Sequence, residues 1–361
     1  MKRIRVLVVD DSAAIRRLLA EAVAASEDLE ICGSAQNGQV ALDRLDQASP
    51  DVVTMDVEMP VMDGISAVRA LRSRRPRLPV LMFSSHTQRG ALATLDALAA
   101  GASDFVAKPR VVGLGEARSF VEGEVLPRLR ALGGRALEGR AVPQAAPPPA
   151  QLARRSPATL LAQQYAEAVV VGVSTGGPQA LASLLPALPA ALPTPVLVVQ
   201  HMPALFTRIL AERLAALGPN PVREAEHNMP VEPGYVYLAR GGLHLRVSRE
   251  GRLLQLDDGP PENSCRPAVD PLFRSAADVW KEKLLAVVLT GMGRDGCAGA
   301  AHVRERGGMV IAQDRESSVV WGMPGAVVQA GLAHLELSVA EIAGEIARRA
   351  RIGPHPGGAR P

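Results

Sequence analysis

The segment VVVGVSTGGPQAL, residues 169–181, passes from an apolar run into a glycine turn that carries a serine. A short valine-rich run that ends at glycines and continues into helix-forming residues predicts a buried strand, a tight turn and a helix. The hydroxyl of Ser174 in this turn could cap the helix, bind a phosphate or attack a carbonyl carbon. The rest of the sequence has to decide among these three roles.

Short apolar runs of this kind recur along both halves of the chain and are separated by segments of helix length. This alternation predicts two α/β domains whose parallel sheets are covered by helices on both faces. In such sheets, ligands bind at the carboxyl ends of the strands. The main predicted strands are IRVLVV, DVVTM and LPVLMF in the first half (4–9, 51–55, 78–83) and AVVVGV, TPVLVV, LLAVVLT and GMVIA in the second (168–173, 194–199, 284–290, 308–312).

The composition favours a cytoplasmic protein that has no nucleic-acid partner. Of the 361 residues, 47% are hydrophobic, and the formal net charge is +3. Ten arginines and one acidic residue lie in residues 126–166 and 347–361, so the remainder is mildly acidic and offers no basic surface for nucleic acid. Prolines interrupt the longest apolar region, residues 184–199, which therefore does not predict a membrane-spanning helix. The three cysteines lack metal-ligand spacing.

The domain boundary falls around a segment rich in Ala, Pro and Gln, AVPQAAPPPAQLARRSP, residues 141–157. Consecutive prolines favour extended backbone, and the segment has few apolar side chains to bury. We predict an N-terminal domain over residues 1–125, a flexible linker over 126–166, a second domain over 167–347 and a disordered basic tail over 348–361.

The strands of the first domain end in groups that suit a cation and a phosphate. Crowded carboxylates repel one another unless a divalent cation binds them, and Mg²⁺ prefers oxygen ligands. A carboxylate directly after the first strand could instead cap the helix that follows. The polar residues at these strand ends are Asp10, Asp11, Asp56, Ser84 and Lys108.

The motifs VVDD, MDVEMPVMDG, FSS and FVAKP make residues 3–125 similar to the receiver domain of response regulators, a flavodoxin-like (βα)5 fold. The resemblance implies that Asp56 accepts a phosphoryl group from a histidine kinase and that Mg²⁺ supports this reaction. It also implies functions for the neighbouring groups. Asp11, Asp56 and the backbone carbonyl of Glu58 would bind Mg²⁺, and Asp10 would assist them. Ser84 and Lys108 would contact the phosphoryl oxygens. Phe105 occupies the aromatic switch position.

The strand-end rule selects three polar residues in the second domain. Ser174 follows the first of its strands, His201 follows PVLVV, and Asp295 lies in the glycine-rich loop TGMGRDG after LLAVVL. A nucleophile, a base and an orienting carboxylate at one sheet edge are the groups of a serine hydrolase. Asp314, which follows MVIAQ, remains an alternative to Asp295. The histidines that compete with His201 are His227, His244, His302 and His334.

The order Ser, His, Asp along the chain differs from the Ser, Asp, His order of the α/β-hydrolase fold. We therefore expect triad chemistry on a different doubly wound, mainly parallel sheet. The lack of a Walker lysine and of the pattern Gly-x-Gly-x-x-Gly disfavours a phosphate-binding loop at Ser174. A receiver joined to a non-catalytic binding module remains the alternative, whereas no helix-turn-helix pattern supports a transcription factor.

The motifs GVSTGG, VVQHMP, DDGPPENSCRPAVD, LTGMGRDG and IAQDRESSVVWGMP occur in this order within residues 168–345. Together they resemble the catalytic domain of the bacterial chemotaxis protein-glutamate methylesterases, a family that also carries a receiver before the esterase. The resemblance implies hydrolysis of glutamate γ-methyl esters, and deamidation of specific glutamines, on methyl-accepting chemoreceptors. No cofactor is expected in the esterase domain, and contact with the membrane is expected only through these receptors.

Matched to the family's motifs, Ser174 is the nucleophile, His201 the general base and Asp295 the residue that orients it. The backbone N–H of Met292 is a candidate oxyanion donor. By the same resemblance, the unphosphorylated receiver covers the esterase cleft, and phosphorylation of Asp56 releases it.

Two further features of these motifs concern the cleft. Arg266 and Asp270, in CRPAVD, would support the substrate cleft or form a structural salt link. Arg294 stands before Asp295, where the family more often has a small or amide residue, so the geometry of this loop is not implied by the resemblance.

Overall fold

The computed structural model describes residues 2–85, 87–108, 113–138 and 165–350. The chain divides into two compact units, one within residues 1–151 and the other within 152–361. Among the described helices, none has the length and the apolar character that a membrane crossing requires.

Within residues 2–138, the first unit is built on a five-stranded parallel sheet in the order β2-β1-β3-β4-β5, which is the flavodoxin-like order. The side chains of Ser12, Asn37, Asp63 and Thr87 accept hydrogen bonds from the first turns of its first four helices, which explains where these helices begin. The strands are β1 (Ile4–Val9), β2 (Leu29–Ala35), β3 (Val52–Asp56), β4 (Val80–Ser84) and β5 (Asp104–Ala107). The helices are α1 (Ala13–Ala24), α2 (Gly38–Ala48), α3 (Gly64–Arg74), α4 (Gln88–Ala99), α5 (Leu114–Phe120) and α6 (Leu126–Glu138).

The last helix of this unit crosses the domain boundary predicted at residue 125. A π-helical turn, Val121–Val125, joins α5 to α6. Leu129 and Leu132 on α6 are buried, because apolar residues at helical spacing pack the helix against β1 and β3. The linker predicted over residues 126–166 is therefore wrong for its first 13 residues. Most of the remainder, residues 139–164, lies outside the described residues.

Within residues 165–350, the second unit contains a seven-stranded sheet in the order β14-β13-β12-β6-β7-β9-β8, and all of its neighbouring strands are parallel. Its strands are β6 (Ala168–Val173), β7 (Val196–Gln200), β8 (Val222–Glu224), β9 (Val236–Leu238), β12 (Leu284–Val288), β13 (Met309–Gln313) and β14 (Leu335–Leu337). Its helices are α7 (Gly177–Leu184), α8 (Ala204–Ala215), α9 (Val269–Trp280), α10 (Cys297–Glu305), α11 (Met323–Gln329) and α12 (Val339–Arg349).

β6 lies at the centre of this sheet, where the strand order reverses. From β6 the chain moves to β7 on one side and later returns to place β12 on the other side. The valines of β6 are fully buried, as expected of a central strand with helices on both faces. In an open α/β sheet, a ligand site is expected in the crevice at the carboxyl ends of such strands.

The sequence does not predict the short strands of the second unit. β8, β9 and β14 have three residues each, and a separate antiparallel pair is formed by β10 (His244–Val247) and β11 (Leu254–Asp257). Runs this short give little periodicity, so the sequence does not distinguish them from loops. The final helix, α12, extends to Arg349, two residues past the predicted domain end at residue 347. The buried Arg349 side chain pairs with Glu345, one turn earlier on the same helix, at 2.6 Å.

Candidate active site

Ser174, His201 and Asp295 follow three neighbouring strands of the second sheet. Ser174 comes directly after β6 and His201 directly after β7, while Asp295 lies in the loop after β12. The register pairs Val173 with Gln200, so Ser174 and His201 are the next residues on adjacent strands. The backbone N–H of His201 donates to the carbonyl of Val173 at 3.2 Å, which extends this register past the strand ends. The topology thus brings the predicted residues to one edge of the sheet.

His201 and Asp295 are in direct contact. Nε2 of His201 lies 2.8 Å from Oδ2 of Asp295, and the two side chains are 12% and 3% exposed. An imidazole that donates from Nε2 to a buried carboxylate is held in one orientation, and the neutral ring is also held in one tautomer. The pair therefore has the geometry of a base and its orienting acid.

The carboxylate of Asp295 also accepts hydrogen bonds from the start of α9. The backbone N–H groups of Val269 and Asp270 donate to it at 2.7 and 3.2 Å. The residue before this helix, Ala268, has no side chain that could cap it, so Asp295 supplies the acceptor for these otherwise unpaired donors. The positive end of the helix dipole in turn favours the negative charge of Asp295.

The two groups shift each other's protonation. Burial lowers the pKa of His201, but the hydrogen bonds with Asp295 and Cys265, together with the charge of Asp295, outweigh it and raise the pKa to about 9. Burial raises the pKa of Asp295, but the hydrogen bond and charge of His201, together with the backbone N–H groups at the start of α9, hold it below its ordinary value. Both shifts favour the ion pair of an imidazolium and a carboxylate.

Ser174 lies in a strand–turn–helix junction. Gly176 has φ 78°, a left-handed conformation that glycine adopts without strain, and α7 begins at the next residue. Gln200 Nε2 donates to the carbonyl of Ser174 at 3.0 Å, and Thr290 Oγ1 donates to that of Thr175 at 2.9 Å, so β7 and the loop after β12 hold the turn. The half-buried Ser174 hydroxyl forms no hydrogen bond with the described residues. Within the described part of the chain, the hydroxyl is therefore not committed to an internal partner.

The loop after β12 approaches the serine closely. A side chain at Gly291 would meet Met323 and would lie 2.8 Å from Cβ of Ser174, so only glycine fits there. The backbone N–H of the next residue, Met292, has no hydrogen-bond partner among the described residues, as an oxyanion donor requires. Arg294 in the same loop is exposed and has no ion-pair partner within the described part of the chain.

The alternatives that the sequence left open lie elsewhere. Asp314 accepts from the backbone N–H and the hydroxyl of Ser317, and so caps a turn. His302 pairs with Asp278 at 2.9 Å. The remaining candidates bond to backbone groups rather than to a carboxylate; they are His227, His244 and His334.

Two residues of the site were missed by the sequence analysis. Nδ2 of Asn263 lies 2.9 Å from Oδ1 of Asp295 and 2.9 Å from Oδ2 of Asp270. Sγ of Cys265 lies 3.5 Å from Nδ1 of His201. Both residues belong to the motif DDGPPENSCRPAVD, but an irregular loop gives no periodic signal that would point to them.

Arg266 and Asp270 do not contact each other. The Arg266 guanidinium donates to the carbonyls of Asp258 and Gly259 at 2.7 and 2.9 Å. Asp270 instead accepts from the backbone N–H of Gly299 at 2.6 Å, which joins α9 to α10. The salt link considered from the sequence is therefore wrong, and Asp270 lies behind Asp295 in the site.

The first unit has its own cluster of polar groups at the carboxyl ends of its strands. One carboxylate oxygen each from Asp10, Asp11 and Asp56 lie within 4.8 Å of one another, and among the described residues no other such group is found. Lys108 Nζ lies 2.8 Å from Asp56 and 3.2 Å from Asp10. Burial raises the pKa of Asp56 to about 6, although Lys108 opposes the shift. Three hard oxygen donors around one point fit Mg²⁺.

Ser84, Phe105 and Glu58 flank this acidic cluster. The Ser84 hydroxyl is fully buried and donates to the carbonyl of Gly90, on α4, at 3.1 Å. Phe105 is 8% exposed on β5. Glu58 follows Asp56 by two residues, and its side chain forms an exposed ion pair with Arg89 at 3.8 Å.

Family models match both units. The model described as "Response regulator receiver domain" matches residues 6–113, and the model described as "CheB methylesterase" matches residues 169–346.

Relatives match the chain over nearly its whole length. A protein of Nocardioides sp. named "Protein-glutamate methylesterase/protein-glutamine glutaminase" is 50% identical over 97% of this chain and 96% of its own. A protein of Trichodesmium erythraeum with the same name is 43% identical over 97% and 99%. Among solved structures, the Thermotoga maritima CheB methylesterase catalytic domain is 44% identical, with a TM-score of 0.49, and covers 50% of this chain and 97% of that one.

Proposed function

The chain belongs to the family of CheB methylesterases that carry a receiver domain, and from this premise we propose that it hydrolyses glutamate γ-methyl esters on chemoreceptors through Ser174, His201 and Asp295. The observation that carries the assignment of residues is the His201–Asp295 contact of 2.8 Å, with His201 next to Ser174 at the ends of adjacent strands. This reaction would give sensory adaptation in chemotaxis or a related chemosensory pathway.

Acylation begins with transfer of the Ser174 proton to His201. The serine oxygen bonds to the ester carbonyl carbon, and the carbonyl oxygen becomes an oxyanion that the Met292 N–H, unpaired within the described residues, stabilises. When the tetrahedral intermediate collapses, its bond to the methoxy oxygen breaks, and His201 returns the proton to release methanol. The product is an acyl-enzyme in which Ser174 is esterified to the glutamate side chain.

Deacylation repeats these proton transfers with water as the nucleophile. His201 takes a proton from water, the hydroxide oxygen bonds to the acyl carbon, and Ser174 leaves with the proton that His201 returns. General-base catalysis contributes about 10²- to 10⁴-fold and one oxyanion donor about 10²- to 10³-fold. The same steps deamidate glutamine when ammonia leaves instead of methanol, and we propose this second activity as well.

The receiver implies control of the esterase by phosphorylation. We propose Asp56 as the acceptor: a carboxylate oxygen bonds to phosphorus, and the bond from phosphorus to the kinase histidine breaks. Lys108, which already contacts Asp56 at 2.8 Å, would pair with the new phosphoryl charge. Asp10, Asp11 and Asp56 would bind Mg²⁺, which supplies positive charge that offsets the phosphoryl oxygens.

Methanol release from methylated chemoreceptor tests this proposal. We expect the full chain to release methanol, faster with Mg²⁺ and a small acyl phosphate, and Ser174→Ala to release none while retaining its fold. Ser183→Ala is the matched control, because Ser183 is exposed on α7 and bonds to a helix carbonyl. A folded Ser174→Ala variant that is as active as the parent would remove Ser174 from the mechanism.

A further inference from the structure

One tight turn contacts both members of the His201–Asp295 pair. Glu262 and Cys265 exchange backbone hydrogen bonds of 3.1 and 2.9 Å across this turn. The two residues between them, Asn263 and Ser264, have φ 51° and 61°, which is the backbone of a type I′ turn. Asn263 from this turn reaches Asp295, and Cys265 reaches His201.

The turn is fixed to the body of the unit at Glu262. Nη2 of Arg274, on α9, lies 2.7 and 2.8 Å from the two carboxylate oxygens of Glu262. The same helix offers its first N–H groups to Asp295. The side chains that emerge from the turn are therefore held relative to Asp295 by a common helix.

Cys265 contacts the second nitrogen, Nδ1, of the His201 ring. With Nε2 bound to Asp295, Nδ1 is the nitrogen left for proton transfer, and Sγ of half-buried Cys265 lies 3.5 Å from it. This distance suits a hydrogen bond to sulfur, which is both a weak donor and a weak acceptor. Ser174, whose proton Nδ1 has to accept, forms no side-chain hydrogen bond with the described residues.

We propose that Cys265 is a positioning residue for the hydrolytic reaction: its thiol holds the His201 ring with Nδ1 toward the crevice and gives up this nitrogen when Ser174 transfers its proton. The inference rests on the proposed function, since it concerns the base of that reaction. It adds a residue to the site that acts through His201 and does not react itself.

The titratable groups that face the His201 ring are Asp295 at Nε2 and Cys265 at Nδ1, and Asp270 lies behind Asp295 across Asn263. Both facing groups raise the pKa of His201. Removal of Cys265 should therefore lower this pKa and free the ring at Nδ1, two effects that an exchange in a purely structural residue would not produce together.

The test uses the full chain with labelled histidines and follows the His201 imidazole by NMR, assigned with His201→Gln, beside kcat/KM as a function of pH. In Cys265→Ala we expect the measured pKa of the His201 imidazole to fall by about one unit. The fraction of neutral imidazole below the inflection should then rise about tenfold. We expect kcat/KM on the high-pH plateau to fall about three- to tenfold, because the ring is no longer held in position. Cys265→Ser should restore the plateau, and Cys32→Ser, in β2 of the first unit, is the control for cysteine loss.

The outcomes separate this inference from the proposed function. An unchanged imidazole titration and plateau in Cys265→Ala would overturn the positioning role even if Ser174→Ala is inactive. Activity that survives in Ser174→Ala but is lost in both Cys265 variants would make the thiol the nucleophile and would also overturn it. If the His201 titration shifts in Cys265→Ala but the parent protein hydrolyses no methyl ester, the contact between Cys265 and His201 is supported and the proposed substrate is wrong.

Discussion

Asp295 contacts His201 through Oδ2, and its two carboxylate oxygens together accept hydrogen bonds from four further residues. Besides His201, the described residues that donate to its carboxylate are Asn263, Val269, Asp270 and Gly296. These hydrogen bonds hold the Asp295 carboxylate in place. Through the 2.8 Å contact, the carboxylate in turn holds the His201 ring in one orientation. The carboxylate that contacts Nε2 is therefore already in place when Nδ1 of the ring takes a proton, which is what an efficient base requires.

Asp295→Asn should lower kcat about 10³- to 10⁴-fold. An amide has one acceptor oxygen and one donor nitrogen, so it cannot accept from every group that now donates to Asp295, and it disfavours the imidazolium that forms in the reaction. Methanol release measures the effect. Asp314→Asn is the matched control, because Asp314 also follows a strand but only caps a turn with Ser317. Equal losses in the two variants would contradict the assignment of Asp295.

The rate of hydrolysis should rise with pH. His201 acts as a base only when neutral, and its pKa is raised to about 9, so at neutral pH most of the resting enzyme has the wrong protonation state. We expect kcat/KM to increase about tenfold per pH unit below the inflection and to level off above about pH 9.

The profile is measured with the full chain on methylated receptor, with the Ser174→Ala rate subtracted for spontaneous ester hydrolysis. His227→Gln, an exposed histidine bonded to a backbone N–H, should leave the inflection in place. A profile that is already flat at pH 7 would mean that the imidazole is neutral in the resting site.

Gly291→Ala should abolish most activity without unfolding the protein. The added methyl group would overlap Met323 and approach Cβ of Ser174 to 2.8 Å, so the serine turn has to move, and displacement of a reacting group by about 1 Å can cost 10²-fold. Activity and circular dichroism measure the two properties. Gly344→Ala, on α12, has open space around the new methyl group and should remain active. A fully active Gly291→Ala variant would show that the turn has room that the geometry denies.

The sequence predicts the long central strands of both sheets and two of the three residues proposed for the reaction, for the same physical reason. Long valine- and leucine-rich runs mark central parallel strands, and a polar residue directly after such a run has to lie at the ligand-binding edge. Ser174 and His201 meet this condition. Asp295 and Asp314 both lie after apolar runs, and periodicity does not separate them. Tertiary contacts distinguish the two residues, because Asp295 accepts a hydrogen bond from the start of α9, whereas Asp314 accepts from Ser317 in its own turn.

Two features depend on packing that no local pattern contains. Helix α6 includes a proline and two glycines, which lower helix propensity, yet Leu129 is buried against the first sheet and stabilises it. Asn263 and Cys265 lie in a turn whose path depends on Arg274, 12 residues from Glu262. Such long-range contacts override local preference and appear only in the folded chain.

Asp56→Asn should remove stimulation by a small acyl phosphate and leave basal methanol release intact. The amide oxygen of asparagine is a poor nucleophile toward phosphorus, whereas the Asp56 carboxylate lies 2.8 Å from Lys108 and in the only acidic group of this kind among the described residues. Asp46→Asn controls for the loss of a negative charge, because Asp46 is an exposed carboxylate of the same unit with a surface ion pair to Arg75.

Incorporation of labelled phosphoryl groups, measured beside methanol release, separates phosphorylation from stimulation of the esterase. Loss of both labelling and stimulation in Asp56→Asn places the switch at Asp56. Labelling that persists in Asp56→Asn would assign the phosphoryl acceptor to another residue, and labelling lost without any change in stimulation would detach the receiver from control of the esterase.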